Sequence, residues 1–176
     1  MPERVRSGRK TSRLTALAVF AGLLATPAST QVAPNSAPAT FGVADRTLLL
    51  VVHGVGAQIY ECKPDAGGHD IWTFREPIAA LFKDGRSVGR HYAGPAWELT
   101  DGGAISGKLA ASAPGATADD VAVLKLDVVS RRGGGALADA TLVLRLNTRG
   151  GVLAGPCETA GDLRAETYAA DYLFLR

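Results

Sequence analysis

Short runs of alternating apolar and polar residues, separated by glycine-rich turns, make up most of the chain after Arg46. Alternation with a period of two is typical of strands that bury one face. It predicts nine strands: Leu48–Val52, Ala57–Cys62, Ile71–Phe74, Ser87–His91, Ala96–Thr100, Ala104–Ala111, Val121–Ser130, Ala140–Asn147 and Glu166–Leu175. No stretch keeps a helical period for three turns, and only residues 76–83, EPIAALFK, are predicted to form one short helical turn. The HGVG stretch at 53–56 is predicted to be a turn.

Many short strands with few helices predict a single all-β domain. The expected architecture is an antiparallel β-sandwich or a partly closed β-barrel with at most one short helix. In two of the predicted strands, apolar and polar residues alternate, so apolar side chains lie on one face and polar side chains on the other. The apolar sets are Leu142, Leu144, Leu146 and Leu124, Leu126, Val128, and the opposing polar sets are Arg145, Asn147 and Lys125, Asp127. The last strand is apolar or aromatic on both faces, which predicts that it is covered on both sides.

The first thirty residues have the layout of a secretory signal peptide. A basic start is followed by LTALAVFAGLL, an apolar run of 11 residues, and then by small residues. This run is shorter than the roughly 20 residues that a membrane-spanning helix needs. We therefore expect cleavage after Ala28 or Thr30, no membrane span in the mature chain, and a secreted or periplasmic protein. Residues 31–45, rich in Pro, Ala and Ser, are predicted to be a flexible leader to a β-rich domain over residues 46–176.

Removal of the signal changes the charge of the protein. The full chain carries 19 basic and 17 acidic residues, of which 14 and 16 lie after Thr30. A domain without a basic excess has little to neutralise phosphates, so nucleic acid is not an expected partner.

Cys62 and Cys157 are the only cysteines, and both lie in the part predicted to be exported. An oxidising compartment allows thiols to pair, so we predict one disulfide between them. A metal site is the weaker alternative, since no Cys or His lies at ligand spacing from either residue. No metal and no cofactor are predicted.

Four blocks of the sequence, GAQIYEC, HYAGPAWELTDGGAISG, NTRGGVLAGPC and YAADYLFL, occur in the order of a known signature. In these blocks the chain resembles a family of secreted bacterial and fungal proteins catalogued as domain of unknown function 3455. The resemblance covers about residues 45–175. It implies an exported, mostly β domain and carries no established activity.

The stretch RHYAGPAWELTDGGAISGK, residues 90–108, concentrates polar and aromatic side chains. Trp97 is expected in the core, and Asp101 is expected to be a turn residue. His91 with Glu98 or Asp101 could form an acid–base pair, which makes a hydrolase-type enzyme the alternative function. No nucleophile motif accompanies them, so the catalytic residues stay unknown and the sequence leaves enzymatic activity open.

A second group of polar side chains, Gln58, Tyr60, Tyr168 and Tyr172, is expected to face inward. Such groups form either a satisfied buried network or a partly polar cleft for a small ligand. The first function hypothesis is therefore a non-catalytic module that binds a small molecule or an envelope component. Its candidate ligand-binding residues are Gln58, Tyr60, His91, Trp97, Glu98, Tyr168 and Tyr172. The oligomeric state stays open.

Overall fold

The structure, a computed structural model, describes Met1 and residues 32–176. The predicted signal peptide, apart from Met1, lies outside the described residues. The described part contains eight strands, β1 to β8 in chain order: Leu48–Pro64, Asp70–Lys83, Arg86–Tyr92, Ala96–Leu99, Ala104–Ala113, Val123–Arg132, Leu142–Gly150 and Leu163–Leu175. Three 3-10 helices complete it: Pro34–Ser36, Ala39–Phe41 and Gly135–Leu137. Within this part, no helix has the length and apolar character needed to span a membrane.

The strands form one antiparallel sheet that closes on itself. Each strand pairs with the next along the chain, and β8 pairs with β1 from Leu48 opposite Leu175 to Glu61 opposite Leu163. The all-β, antiparallel prediction is confirmed, and the architecture is a closed barrel rather than a sandwich. Closure pairs the edges that an open sheet would leave exposed.

The predicted turn at HGVG is wrong, because β1 runs through it without a break. Gly54 and Gly56 occur here because of close packing and not because of a turn. A Cβ atom on Gly54 would lie 2.7 Å from Cε2 of Tyr172, and one on Gly56 would overlap the Ile78 carbonyl.

The predicted helical turn at residues 76–83 is also wrong, since these residues belong to β2. Pro77 lies within this strand, although proline lacks the N–H that a sheet requires. In the structure it pairs with Gln58 beside a bulge at Ile59 and Tyr60, where the register of β1 and β2 shifts. Bulges are the places at which a sheet accepts proline.

The barrel interior is packed at one end by apolar side chains. Trp97, Leu99, Ile105, Leu126, Val143 and Phe174 belong to one buried cluster. Leu137, from the third 3-10 helix, joins this cluster from the loop between β6 and β7. Leu124 and Val128 pack against it, so the predicted inner face of β6 is confirmed.

The apolar face of β7 lies on the outside of the barrel. Leu142, Leu144 and Leu146 form a second buried cluster with Leu173 and Leu175 of β8. The residues that cover them come from the segment predicted to be a flexible leader, where Phe41 and Val43 are buried in the same cluster. This cover, residues 32–45, also explains why β8 is buried on both faces, as predicted.

Candidate functional site

A cavity of about 530 Å³ opens into the barrel interior at the end opposite Leu137. Its walls come from the second half of β1, the first half of β2, the β3–β4 turn, the segment before β6, and β7. The volume falls within the range of about 300 to 1,000 Å³ that is usual for small-ligand sites. The lining residues are Gln58, Tyr60, Phe74, Arg75, Pro77, His91, Ala93, Gly94, Pro95, Val121, Ala122, Leu124, Arg145 and Val152.

Polar side chains from β1 and β8 meet beside this cavity. Tyr60 donates its hydroxyl to the carbonyl of Gly151 at 2.8 Å, and the hydroxyls of Tyr168 and Tyr172 lie 3.1 Å apart. Gln58 is buried, and its amide nitrogen has no hydrogen-bond partner among the described residues. A buried polar group left unpaired costs about 1 to 3 kcal/mol. The amide therefore offers unused hydrogen-bonding capacity at the cavity wall.

His91 projects from β3 into the barrel and is almost completely buried. Its Nδ1 donates to the carbonyl of Ala96 at 2.8 Å, and its ring stacks on Trp97 with centroids 4.7 Å apart. Burial lowers the pKa of His91 from 6.5 to about 4; the Ala96 hydrogen bond opposes this shift and the positive charge of Arg145 adds to it. The imidazole is therefore neutral at pH 7.

The buried imidazole gives a testable pH dependence. Because the folded pKa lies below the unfolded value, the unfolded state binds the proton more readily between pH 6.5 and 4. Above about pH 6.5 this group does not lower the free energy of unfolding. As the pH falls toward 4, its titration lowers that free energy by roughly 3 kcal/mol. Urea unfolding of wild type and His91→Gln at pH 7 and pH 4.5 tests this, because carboxylate contributions are common to both proteins. Parallel losses in the two proteins would contradict it.

Arg145 lines the cavity, although the sequence did not single it out as a site residue. Alternation places it opposite three leucines, which are buried beneath the cover, so Arg145 faces the barrel interior. Its Nε donates to the carbonyl of Ala122 at 3.0 Å, and its neighbour across the β7–β8 pair is Tyr172. The predicted alternation is correct and the leucine face is buried, but it packs against the segment before the barrel and not in the barrel interior.

Glu98 does not join the cavity. It lies on the outer face of β4 and accepts hydrogen bonds from Arg90 and Tyr92, both at 3.1 Å. These two hydrogen bonds, with the Arg132 charge, lower the pKa of Glu98. His91 pairs with Trp97 in the sheet, while Glu98 pairs with Arg90, so the imidazole and the carboxylate lie on opposite faces.

Asp101 is also remote from His91, because it follows β4 near the Leu137 end of the barrel. Its carboxylate accepts hydrogen bonds from the N–H groups of Gly103 and Ala136, at 2.9 and 2.8 Å. The hydrogen bond from Ala136 lowers the pKa of Asp101 most, and the bond from Gly103 lowers it further. Asp101 thus links the β4–β5 turn to the β6–β7 loop, and the structure brings neither predicted carboxylate to His91.

The structure instead forms a histidine–carboxylate pair that the sequence analysis missed. Nδ1 of His53 lies 2.8 Å from Oδ1 of Asp171, whose other oxygen accepts a hydrogen bond from Asn147 at 2.8 Å. His53 and Asp171 line a groove on the outside of the barrel. Ser36 also lines this groove, but its hydroxyl donates to the carbonyl of Ala33. Within residues 32–176, no three metal-ligating side chains form a group that could hold a metal ion.

The predicted disulfide is confirmed, since Cys62 and Cys157 are bonded. Cys62 lies at the cavity end of β1, and Cys157 lies in the loop between β7 and β8. The backbone of this loop is also paired with β2, because Cys157 N donates to Asp70 O and Trp72 N donates to Gly155 O. The bond therefore anchors the loop that supplies Val152 to the cavity wall.

The seven candidate ligand-binding residues thus divide into two groups. Six of them lie in the barrel interior, where Gln58, Tyr60 and His91 line the cavity. Trp97, Tyr168 and Tyr172 do not line it and belong to the buried cluster next to it. Glu98 lies outside. Phe74, Leu124 and Val152 are further cavity residues that the sequence did not single out as site residues.

Comparison with known proteins gives one match. No curated protein and no solved structure matches the chain. Residues 43–176, which include the whole barrel, match the family described as "Protein of unknown function (DUF3455)". The chain therefore belongs to the DUF3455 family.

Proposed function

We propose that this protein is a non-catalytic binding module that holds a small molecule in the cavity of the barrel. The observation that carries the proposal is a cavity of about 530 Å³ lined by apolar side chains and by a few convergent polar groups. Small-ligand sites usually have this composition, because apolar walls supply affinity and aimed polar groups supply orientation. The apolar walls include Phe74, Leu124 and Val152.

The buried polar residues beside the cavity favour binding over a purely structural role. A structural network would satisfy its own donors and acceptors. The amide nitrogen of Gln58 has no partner among the described residues, although Tyr60 and Tyr168 next to it do. The alternative, a hydrolase that uses His91 with Glu98 or Asp101, lacks a shared cleft for these groups.

A neutral fluorescent probe, N-phenyl-1-naphthylamine, tests the proposal. We expect its emission to rise on titration with the wild-type protein, because the cavity excludes water from an apolar ring system. Ala122→Trp, in the cavity wall, is expected to abolish the rise, whereas Ala110→Trp, an exposed substitution on β5, is expected to preserve it. No enhancement with wild type, or equal behaviour of the two tryptophan variants, would contradict binding in the cavity.

We also propose that the protein is exported, to the periplasm or the exterior, and that its ligand is a small molecule or envelope component met there. The Cys62–Cys157 disulfide is compatible with an oxidising compartment. N-terminal sequencing of exported protein should find a start near Ser29 or Gln31. Exported material that begins at Met1 would contradict the signal peptide.

A further inference from the structure

Arg145 places a cation in the cavity wall without a counter-ion. Within residues 32–176, no carboxylate lies within salt-bridge distance of its guanidinium, and no Asp or Glu lines the cavity. The Nε–Ala122 hydrogen bond fixes the base of the guanidinium group. Arg75 lines the same cavity, but it is ion-paired with Glu76 at 3.2 Å.

The titratable groups that face Arg145 do not neutralise it. Burial lowers the pKa of His91 to about 4, so the imidazole is neutral at pH 7. Burial raises the pKa of Tyr168 and raises that of Tyr172 well above its usual value, so both phenols keep their protons. A guanidinium group is a cation with N–H donors and no acceptor. The interior end of the cavity therefore carries one net positive charge.

A partly buried charge without a partner is unfavourable, and native proteins usually pair such a charge or use it. Arginine offers a planar fork of N–H donors that fits the two oxygens of a carboxylate. We propose that the cavity takes a small organic anion, an apolar body that bears one carboxylate or comparable oxyanion, with the anionic group on Arg145. This inference rests on the proposed binding function and adds the chemical class of the ligand.

The arrangement of the walls gives the anion a defined orientation. The charged group would lie at the Arg145 end, where Gln58 supplies an unused amide. The apolar body would extend toward Phe74 and Val152, which are partly exposed at the mouth. Water is displaced from the apolar walls, while the ion pair forms in a medium that screens it weakly.

Two fluorescent probes with the same ring system separate charge from apolar burial. 1-Anilinonaphthalene-8-sulfonate carries an anionic sulfonate, and N-phenyl-1-naphthylamine lacks it. We expect Arg145→Met to weaken binding of the sulfonate about 10- to 100-fold, the range for a lost charge-assisted contact. The same variant should bind the neutral probe as wild type does, which also shows that it is folded. Arg149→Met, the matched control, should change the affinity for the sulfonate by less than about threefold, because Arg149 lies on the same strand but is exposed and outside the cavity.

A competition experiment on the wild-type protein tests the anion assignment even if Arg145→Met does not fold. 2-Naphthoate should displace the anionic probe at a concentration about tenfold or more below that needed for 2-naphthamide, its neutral analogue. Equal displacement by the two, or an equal loss of sulfonate binding in Arg149→Met and Arg145→Met, would overturn the anion assignment. Both results would leave binding of the neutral probe, and thus the proposed function, intact. Failure of wild type to bind the neutral probe would overturn the proposed function itself.

Discussion

Replacing Trp97 by alanine is expected to lower the free energy of unfolding by about 3 to 5 kcal/mol, the range for a large aromatic residue removed from a core. Trp97 is 1 % exposed, and it touches three other rings in the barrel. It stacks on His91 and meets Tyr172 and Phe174 edge to face, with centroids 5.5 and 6.1 Å apart. Its loss would leave a void where β3, β4 and β8 face one another.

Urea unfolding monitored by circular dichroism measures this effect. Glu98→Gln is the matched control, because Glu98 is the next residue of the same strand and lies on the outer face. We expect its unfolding midpoint to stay close to that of wild type. Similar losses in the two variants would mean that the strand itself, and not the interior packing of the tryptophan, sets the stability of this region.

Removal of the disulfide should be at least as costly. The bond links residues 95 apart in sequence, and constraint of a loop of this length in the unfolded chain is worth about 4 to 5 kcal/mol in the chain-entropy description. Cys62→Ala and Cys157→Ala should lose similar amounts of stability. The double variant should lose little more than either single one, because all three remove the same bond.

Reduction of the wild-type protein provides an independent measurement. A reductant should lower the unfolding midpoint of wild type toward that of the double variant and leave the double variant unchanged. Additive losses in the double variant would contradict the account, because they would assign the cost to the packing of each cysteine rather than to the bond. Mass spectrometry without reduction should find the two cysteines joined.

Much of the barrel could be predicted from local patterns. Asp-Gly pairs favour hairpin turns, and those at 84 and 101 lie between β2 and β3 and between β4 and β5. The alternation in β6 correctly identified its buried face. The errors arose where tertiary contacts replaced local preferences. Gly54 and Gly56 resemble turn glycines, yet they make room for Tyr172 and for the backbone of β2. Pro77 resembles a strand breaker, yet a neighbouring bulge accommodates it.

The side chains that face the barrel interior were predicted only in part. The inward orientation of Gln58, Tyr60 and Tyr172 followed from their spacing, whereas that of Arg145 did not, because apolar side chains on both faces of β7 make alternation ambiguous. His91 and Glu98 lie in different strands, so the alternation within one strand does not relate their faces. Only the register of β3 and β4 shows that they lie on opposite faces. Sheet register is a long-range property that a period of two does not contain.

The cover over β7 and β8 has a consequence for proteolytic trimming. A chain that starts near residue 31 keeps Phe41 and Val43, whereas a chain cut after Val43 loses them. The cut after Val43 would uncover adjacent leucines of β7 and β8: Leu142, Leu144, Leu146, Leu173 and Leu175. Contiguous apolar surface of this kind promotes self-association. We therefore expect a protein that starts near residue 31 to remain monodisperse and one cut after Val43 to self-associate, so that the position of the N-terminus would control the solubility of the folded barrel.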